Sequence, residues 1–105
     1  MRKPSVKCAL LAAMVAEHRW GSPITEENLL SVSAIETGDY PTASEIFDEL
    51  RGEEYITSKG DRGIELNNSR FGSLADVLYH ECEWEPYEIR SRLKHYEGWG
   101  SHEWA

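Results

Sequence analysis

Long apolar runs are missing from this 105-residue chain. No stretch approaches the ~18 residues that span a bilayer. The longest, CALLAAMVA at residues 8–16, is short and alanine-rich, and Glu17-His18-Arg19 follow it instead of a small-residue cleavage pattern. It reads as a core helix, neither a signal peptide nor a membrane segment. The lack of both signals points to the cytoplasm. Positive charge is scarce too. Eleven Lys and Arg face 19 Asp and Glu, leaving a net charge of −8. Such a chain gains no long-range attraction to phosphates, which argues against a plain nucleic-acid binder. Cysteine is limited to Cys8 and Cys82. Both sit among apolar residues in helical patterns, so the expectation is two buried thiols in a reducing compartment. A disulfide would need a close Cα approach, which a sequence does not display.

Catalytic motifs are also missing. There is no G-x-G-x-x-G, no phosphate loop and no nucleophile motif. Cys8 has no histidine near it in sequence, and Glu53-Glu54 reads as a solvated turn, not an acid/base pair. His80-x-Cys82 with His95 and His102 suggests a metal site on paper. Residues two apart on a helix point in different directions, so His80 and Cys82 are poorly placed to share an ion. The expectation is a non-enzyme with no cofactor and no metal.

What the chain does have is enough length for one domain with a modest core. Val6, Leu10 and Met14, flanked by Leu11 and Val15, make one helical stripe over 5–18, with Ser5 as its N-cap. Thr25 can cap a second helix over 26–35, with Glu26 and Glu27 in its positive first turn and Leu29, Leu30, Val32 and Ile35 inward. Pro23-Ile24-Thr25 is suited to a short extended piece just before it. A third helix is expected over 43–51, opened by a Thr42/Glu45 capping box, lined by Ile46, Phe47 and Leu50, and stopped by Gly52. Then the period changes. Segments 54–58 and 63–67 read as a β-hairpin around Lys59-Gly60-Asp61-Arg62-Gly63, with Ile64 and Leu66 alternating against Glu65 and Asn67. Two more helices are expected, over 73–82 and over 86–96. Pro86 opens the second, and Ile89, Leu93 and Tyr96 face inward. A flexible tail over 98–105 carries Trp99 and Trp104.

Three helices followed by a hairpin is the element order of a winged helix-turn-helix domain. PTASEIFDELRGEEYITSKGDRGIELN, residues 41–67, resembles the recognition-helix-plus-wing segment of regulators in the broad PadR/MarR-like group. The likeness covers about residues 5–67. It implies a mainly α fold with a small β-hairpin: a winged helix-turn-helix over 1–69 followed by two C-terminal helices over 70–97. Those helices would pack on the first part or form a dimer interface. By the same resemblance, the partner is double-stranded DNA and the DNA-facing residues are Ser44 and Arg51 on the third helix, with Lys59 and Arg62 at the wing. The Glu-rich, Lys-poor composition is similar to that of proteins from salt-accumulating archaea, although the bias of Glu over Asp departs from that habit.

Two features resist the DNA reading. Asp48 and Glu49 would face phosphates, each at a cost of about 1 kcal/mol on close approach. The most cationic surface lies instead on the last helix, where Tyr87, Arg90 and Lys94 follow i, i+3, i+7. Across that helix, the one before it and the turn at about 83–85, Leu78, Cys82, Trp84 and Ile89 are spaced as in a helix-turn-helix, but Tyr79 and Glu83 stand where Ala and Gly are expected. A bland reading fits that helix equally: late cations complement its dipole, and Glu88 can pair with Arg92. A winged-helix module that binds protein instead of DNA therefore stands as the alternative. A third reading is a ligand-sensing module with a pocket near Trp20 or Trp84.

Overall fold

The computed structural model describes residues 3–67 and 69–93. The sequence readings that involve Lys94, His95, Tyr96 and the 98–105 tail lie outside these residues. The chain runs α1 (Lys3–Ala16), α2 (Glu26–Val32), α3 (Tyr40–Leu50), β1 (Ile56–Ser58), β2 (Ile64–Leu66), α4 (Phe71–His80) and α5 (Pro86–Leu93). It is mainly helical with one antiparallel hairpin, as the sequence suggested.

α1 is the central element. Its stripe of Val6, Leu10, Leu11, Met14 and Val15 is fully buried, and it packs against α2, α3, α5 and β2. The helix begins earlier than expected, so Ser5 lies inside it and not at its N-cap. Pro4 is tolerated there because the first helical N–H groups need no helical partner. At the other end, His18 adopts a left-handed φ of 55°. Its N–H reaches the Val15 carbonyl, and the Arg19 N–H reaches Met14, which closes the last turn.

α2 is capped as expected: the Thr25 hydroxyl oxygen accepts from the Asn28 N–H at 3.3 Å. It ends early, however, because Ser33 turns extended while its hydroxyl and N–H both bond back to the Leu29 carbonyl. Val32 therefore faces solvent, contrary to the periodic reading, and Ile35 reaches the core from the following segment.

The Thr42/Glu45 capping box does not form. A short 3₁₀ turn, Thr37–Asp39, feeds straight into α3, whose N-cap is Asp39 with no side-chain cap bond. Thr42 is already inside the helix. Pro41 in the first turn supplies the right φ and has no N–H to satisfy. The inner face of Ala43, Ile46, Phe47 and Leu50 is buried. Nor does Gly52 make a left-handed stop. The helix unwinds through i→i−3 bonds from Gly52 to Glu49 and from Glu53 to Leu50.

β1 and β2 pair with Ile56 opposite Leu66, Thr57 opposite Glu65 and Ser58 opposite Ile64. The extended piece at 19–24 lies along the free edge of β2. Ile24 and Ile64 exchange both backbone hydrogen bonds, at 2.8 and 3.0 Å, and the Leu66 N–H reaches Arg19 at 2.7 Å. β2 is thus flanked on both edges, and all three of its residues are buried. This overturns the half-buried reading of the strand: Glu65 is only 7% exposed.

α4 and α5 add Leu74, Ala75, Leu78, Ile89 and Leu93 to the same continuous core. Pro86 opens α5 as expected. Among the described residues, no helix is long and apolar enough to cross a membrane.

Candidate nucleic-acid interface

The residues expected to face DNA fall into two groups. Ser44 and Arg51 make contacts within the protein. The Ser44 hydroxyl donates to Glu26 at 3.1 Å, tying α3 to α2. Arg51 reaches from the end of α3 to the hairpin. One terminal nitrogen donates to the Ser58 hydroxyl at 2.7 Å and the other to the Gly60 carbonyl at 3.4 Å. Its guanidinium also sits 5.2 Å from the Phe47 ring centroid, and its Nε lies 4.0 Å from Asp48. Arg51 therefore works as a clamp that fixes the hairpin relative to α3.

Lys59 and Arg62 both stand exposed at the hairpin tip, Lys59 just before a 3₁₀ turn, Gly60–Arg62, and Arg62 at its end. Their electrostatic settings differ. The Lys59 ammonium lies 3.4 Å from Glu65 Oε1, and the second oxygen of that carboxylate is buried with no hydrogen-bond partner. Lys59 is thus the counter-charge of an inward carboxylate. The Arg62 side chain has no partner among the described residues. The outer face of α3 is acidic, with Glu45, Asp48 and Glu49 exposed.

On the alternative face, Tyr87 is 69% exposed and Arg90 is exposed. Lys94 lies outside the described residues. Arg92 leans on Trp84, 5.4 Å from the ring centroid, and Glu88 holds it at 3.9 Å. Glu83, where a helix-turn-helix glycine is expected, adopts a glycine-like φ of 59°.

The cysteine expectation is overturned. Cys8 and Cys82 form a disulfide with their Cα atoms 5.5 Å apart, joining α1 to the segment just after α4. Both residues are only partly buried. Beside the bridge, the Lys7 ammonium pairs with Glu81 at 3.0 Å. Burial opposes the charge on Lys7. The hydrogen bond and charge of Glu81, together with Tyr55, prevail, so its pKa lies above the usual 10.5. Tyr55 is 1% exposed, and its hydroxyl makes no hydrogen bond of ordinary geometry, only a weaker interaction with Lys7. Burial is the main cause that pushes the Tyr55 pKa above 10.0, and Lys7, through its charge and its interaction with the hydroxyl, opposes it only in part. Among the described residues, no three His, Cys, Asp or Glu side chains gather in a way that could hold a metal ion.

No family model matches this chain, and no curated protein or solved structure does either.

Proposed function

We propose that this chain is a winged helix-turn-helix module of the transcription-regulator type that contacts double-stranded DNA wing first. The observation that carries the proposal is the two-way backbone pairing of Ile24 with Ile64. With it the order becomes helix, extended piece, two helices, hairpin, and β2 lies between β1 and the bridging segment around Ile24. That order is what supports the winged-helix reading. The Arg51 clamp adds support, because a wing held rigidly against α3 presents its tip in one orientation. Arg62 at that tip is the residue available for a phosphate or groove contact. Such a module would act as a homodimer, with the exposed outer side of α5 at Tyr87 as part of the interface.

The acidic outside of α3 supports a second reading, a winged-helix module that binds protein. Three carboxylates on the face that would enter a groove repel phosphates, and a basic protein partner would meet them favourably.

Fluorescence anisotropy of a labelled mixed-sequence duplex across a range of KCl tests the first reading. Folding at each salt is followed by circular dichroism. Arg62→Ala is the informative variant. Lys59→Ala is not, because it would strip the partner from Glu65. Expected is binding that weakens with salt, with a slope reduced by roughly one phosphate's worth in Arg62→Ala. Loss confined to Arg90→Ala would move the contact to α5. No binding wherever the protein is folded would favour the protein-binding module.

A further inference from the structure

The turn between α4 and α5 frames an open groove of about 570 Å³, lined by Tyr79, His80, Glu83, Trp84, Glu85 and Pro86. Its walls combine aromatic rings with carboxylates. Tyr79 is 41% exposed, and Glu83 and Glu85 are exposed on either side of Trp84 in sequence. We propose that this groove receives an arginine side chain presented by an extended segment of a partner protein.

Three observations support that occupant. First, Trp84 already stacks a guanidinium, that of Arg92. The chain's own pair shows which chemistry the indole favours: a delocalised, weakly hydrated cation against a ring face. Second, the charged groups in the lining are two glutamates and one exposed histidine, and the one guanidinium beside them, Arg92 against Trp84, is offset by Glu88 at 3.9 Å, so the balance repels a phosphate or carboxylate and attracts a cation. The planar guanidinium can stack and bond a carboxylate in two places at once, which an ammonium cannot. Third, the groove is too open to enclose a small molecule, which needs most of its surface buried. An extended peptide lays one side chain into such a groove while its backbone stays in water. The wall is also set in advance. The Trp84 backbone N–H donates to the Leu78 carbonyl at 3.0 Å, which pins the turn, so little ordering is needed on binding. The proposal does not depend on the wing and stands whether or not DNA is bound.

The test uses the full chain labelled with ¹⁵N, with the Trp84 indole signal assigned from Trp84→Phe. It is titrated with acetyl-Gly-Arg-Gly-Arg-Gly-amide, and in parallel with the same peptide carrying citrulline, which keeps the shape and removes the charge. Expected is a saturable shift of the Trp84 indole with the arginine peptide. Affinity should fall about tenfold with citrulline, and by a similar factor in Glu83→Gln/Glu85→Gln, whose spectrum otherwise stays that of the folded chain. The proposal is overturned if the indole does not respond, if citrulline binds equally well, or if the double Gln variant binds unchanged. A lysine peptide that binds as tightly would also overturn it, because charge alone would then suffice. So would a DNA duplex that shifts the same signal.

Discussion

Gly63 shows how much a single residue carries in this fold. Its φ is 102°, and a Cβ added there would stand 1.9 Å from the Ile24 carbonyl oxygen. The close approach of hairpin and extended piece that defines the sheet thus depends on a hydrogen in place of a methyl. Gly63→Ala must either push the 19–24 segment off β2, losing two backbone bonds, or force the turn into a strained shape. We expect a loss of about 3–5 kcal/mol from combined strain and lost hydrogen bonding, read as a lowered urea midpoint. Gly38→Ala is the matched control, with nothing within 4 Å of its added Cβ and no positive φ. It should change stability by less than about 0.5 kcal/mol. The sequence announced the turn through Lys59-Gly60-Asp61-Arg62-Gly63, but not which glycine is indispensable. That depends on Ile24, a residue remote in the chain. The same holds for Glu65: alternation assigned it to the solvent side, and it is buried in a strand that the 19–24 segment covers along its second edge.

Local chemistry at the ends of elements proved less legible than their inner faces. The stripes of α1, α3 and α5 could be read from spacing because core burial sets them. The capping box at Thr42 and Glu45 was equally well spelled, yet the preceding 3₁₀ turn and Pro41 carry the helix past it. Where elements meet, the informative cluster is Lys7 on α1, Glu81 after α4 and Tyr55 before β1. Both shifted groups point to alkaline instability. Tyr55 is held neutral by burial, so below its unfolded value of 10.0 its contribution is fully present. Above that value the unfolded chain ionises first and draws the equilibrium. Lys7 binds its proton more tightly in the fold, so its contribution is present below 10.5 and is lost as pH rises through the higher folded value. Stability should therefore hold to about pH 10 and then fall. Tyr55→Phe should leave the neutral-pH midpoint unchanged or raise it by about 1 kcal/mol, because a buried hydroxyl that makes no ordinary hydrogen bond is removed. It should also flatten the alkaline decline. Urea midpoints from about pH 8 to about pH 11 read both effects. An alkaline limb identical in the two proteins would assign the decline to other groups.

At the scale of the whole molecule, the covalent link from α1 to the end of α4 changes what the chain is. The sequence offered two cysteines in helical apolar patterns, and the ordinary inference was a pair of reduced thiols. Nothing in one dimension places Cys8 beside Cys82, since the approach depends on how α4 and α5 fold back onto α1. With the thiols goes the inference of a reducing compartment that rested on them. The bridge spans a separation of 74 residues, and closing a loop of that size restrains the unfolded chain by about 4.5 kcal/mol on the chain-entropy model. Leu74, Leu78, Ile89 and Leu93 bury the helix pair without help from sulfur, so reduction should weaken the fold without detaching that pair. We expect a reductant such as TCEP to lower the unfolding free energy by about 2–4 kcal/mol while the far-ultraviolet circular dichroism at low urea stays unchanged. Cys8→Ala/Cys82→Ala should match the reduced protein and ignore the reductant. If thiol alkylation of the unfolded, unreduced chain labels both cysteines, the bridge does not form. A helical signal that falls on reduction alone would show instead that the α4–α5 pair is held by the bridge, against its own apolar contacts with α1.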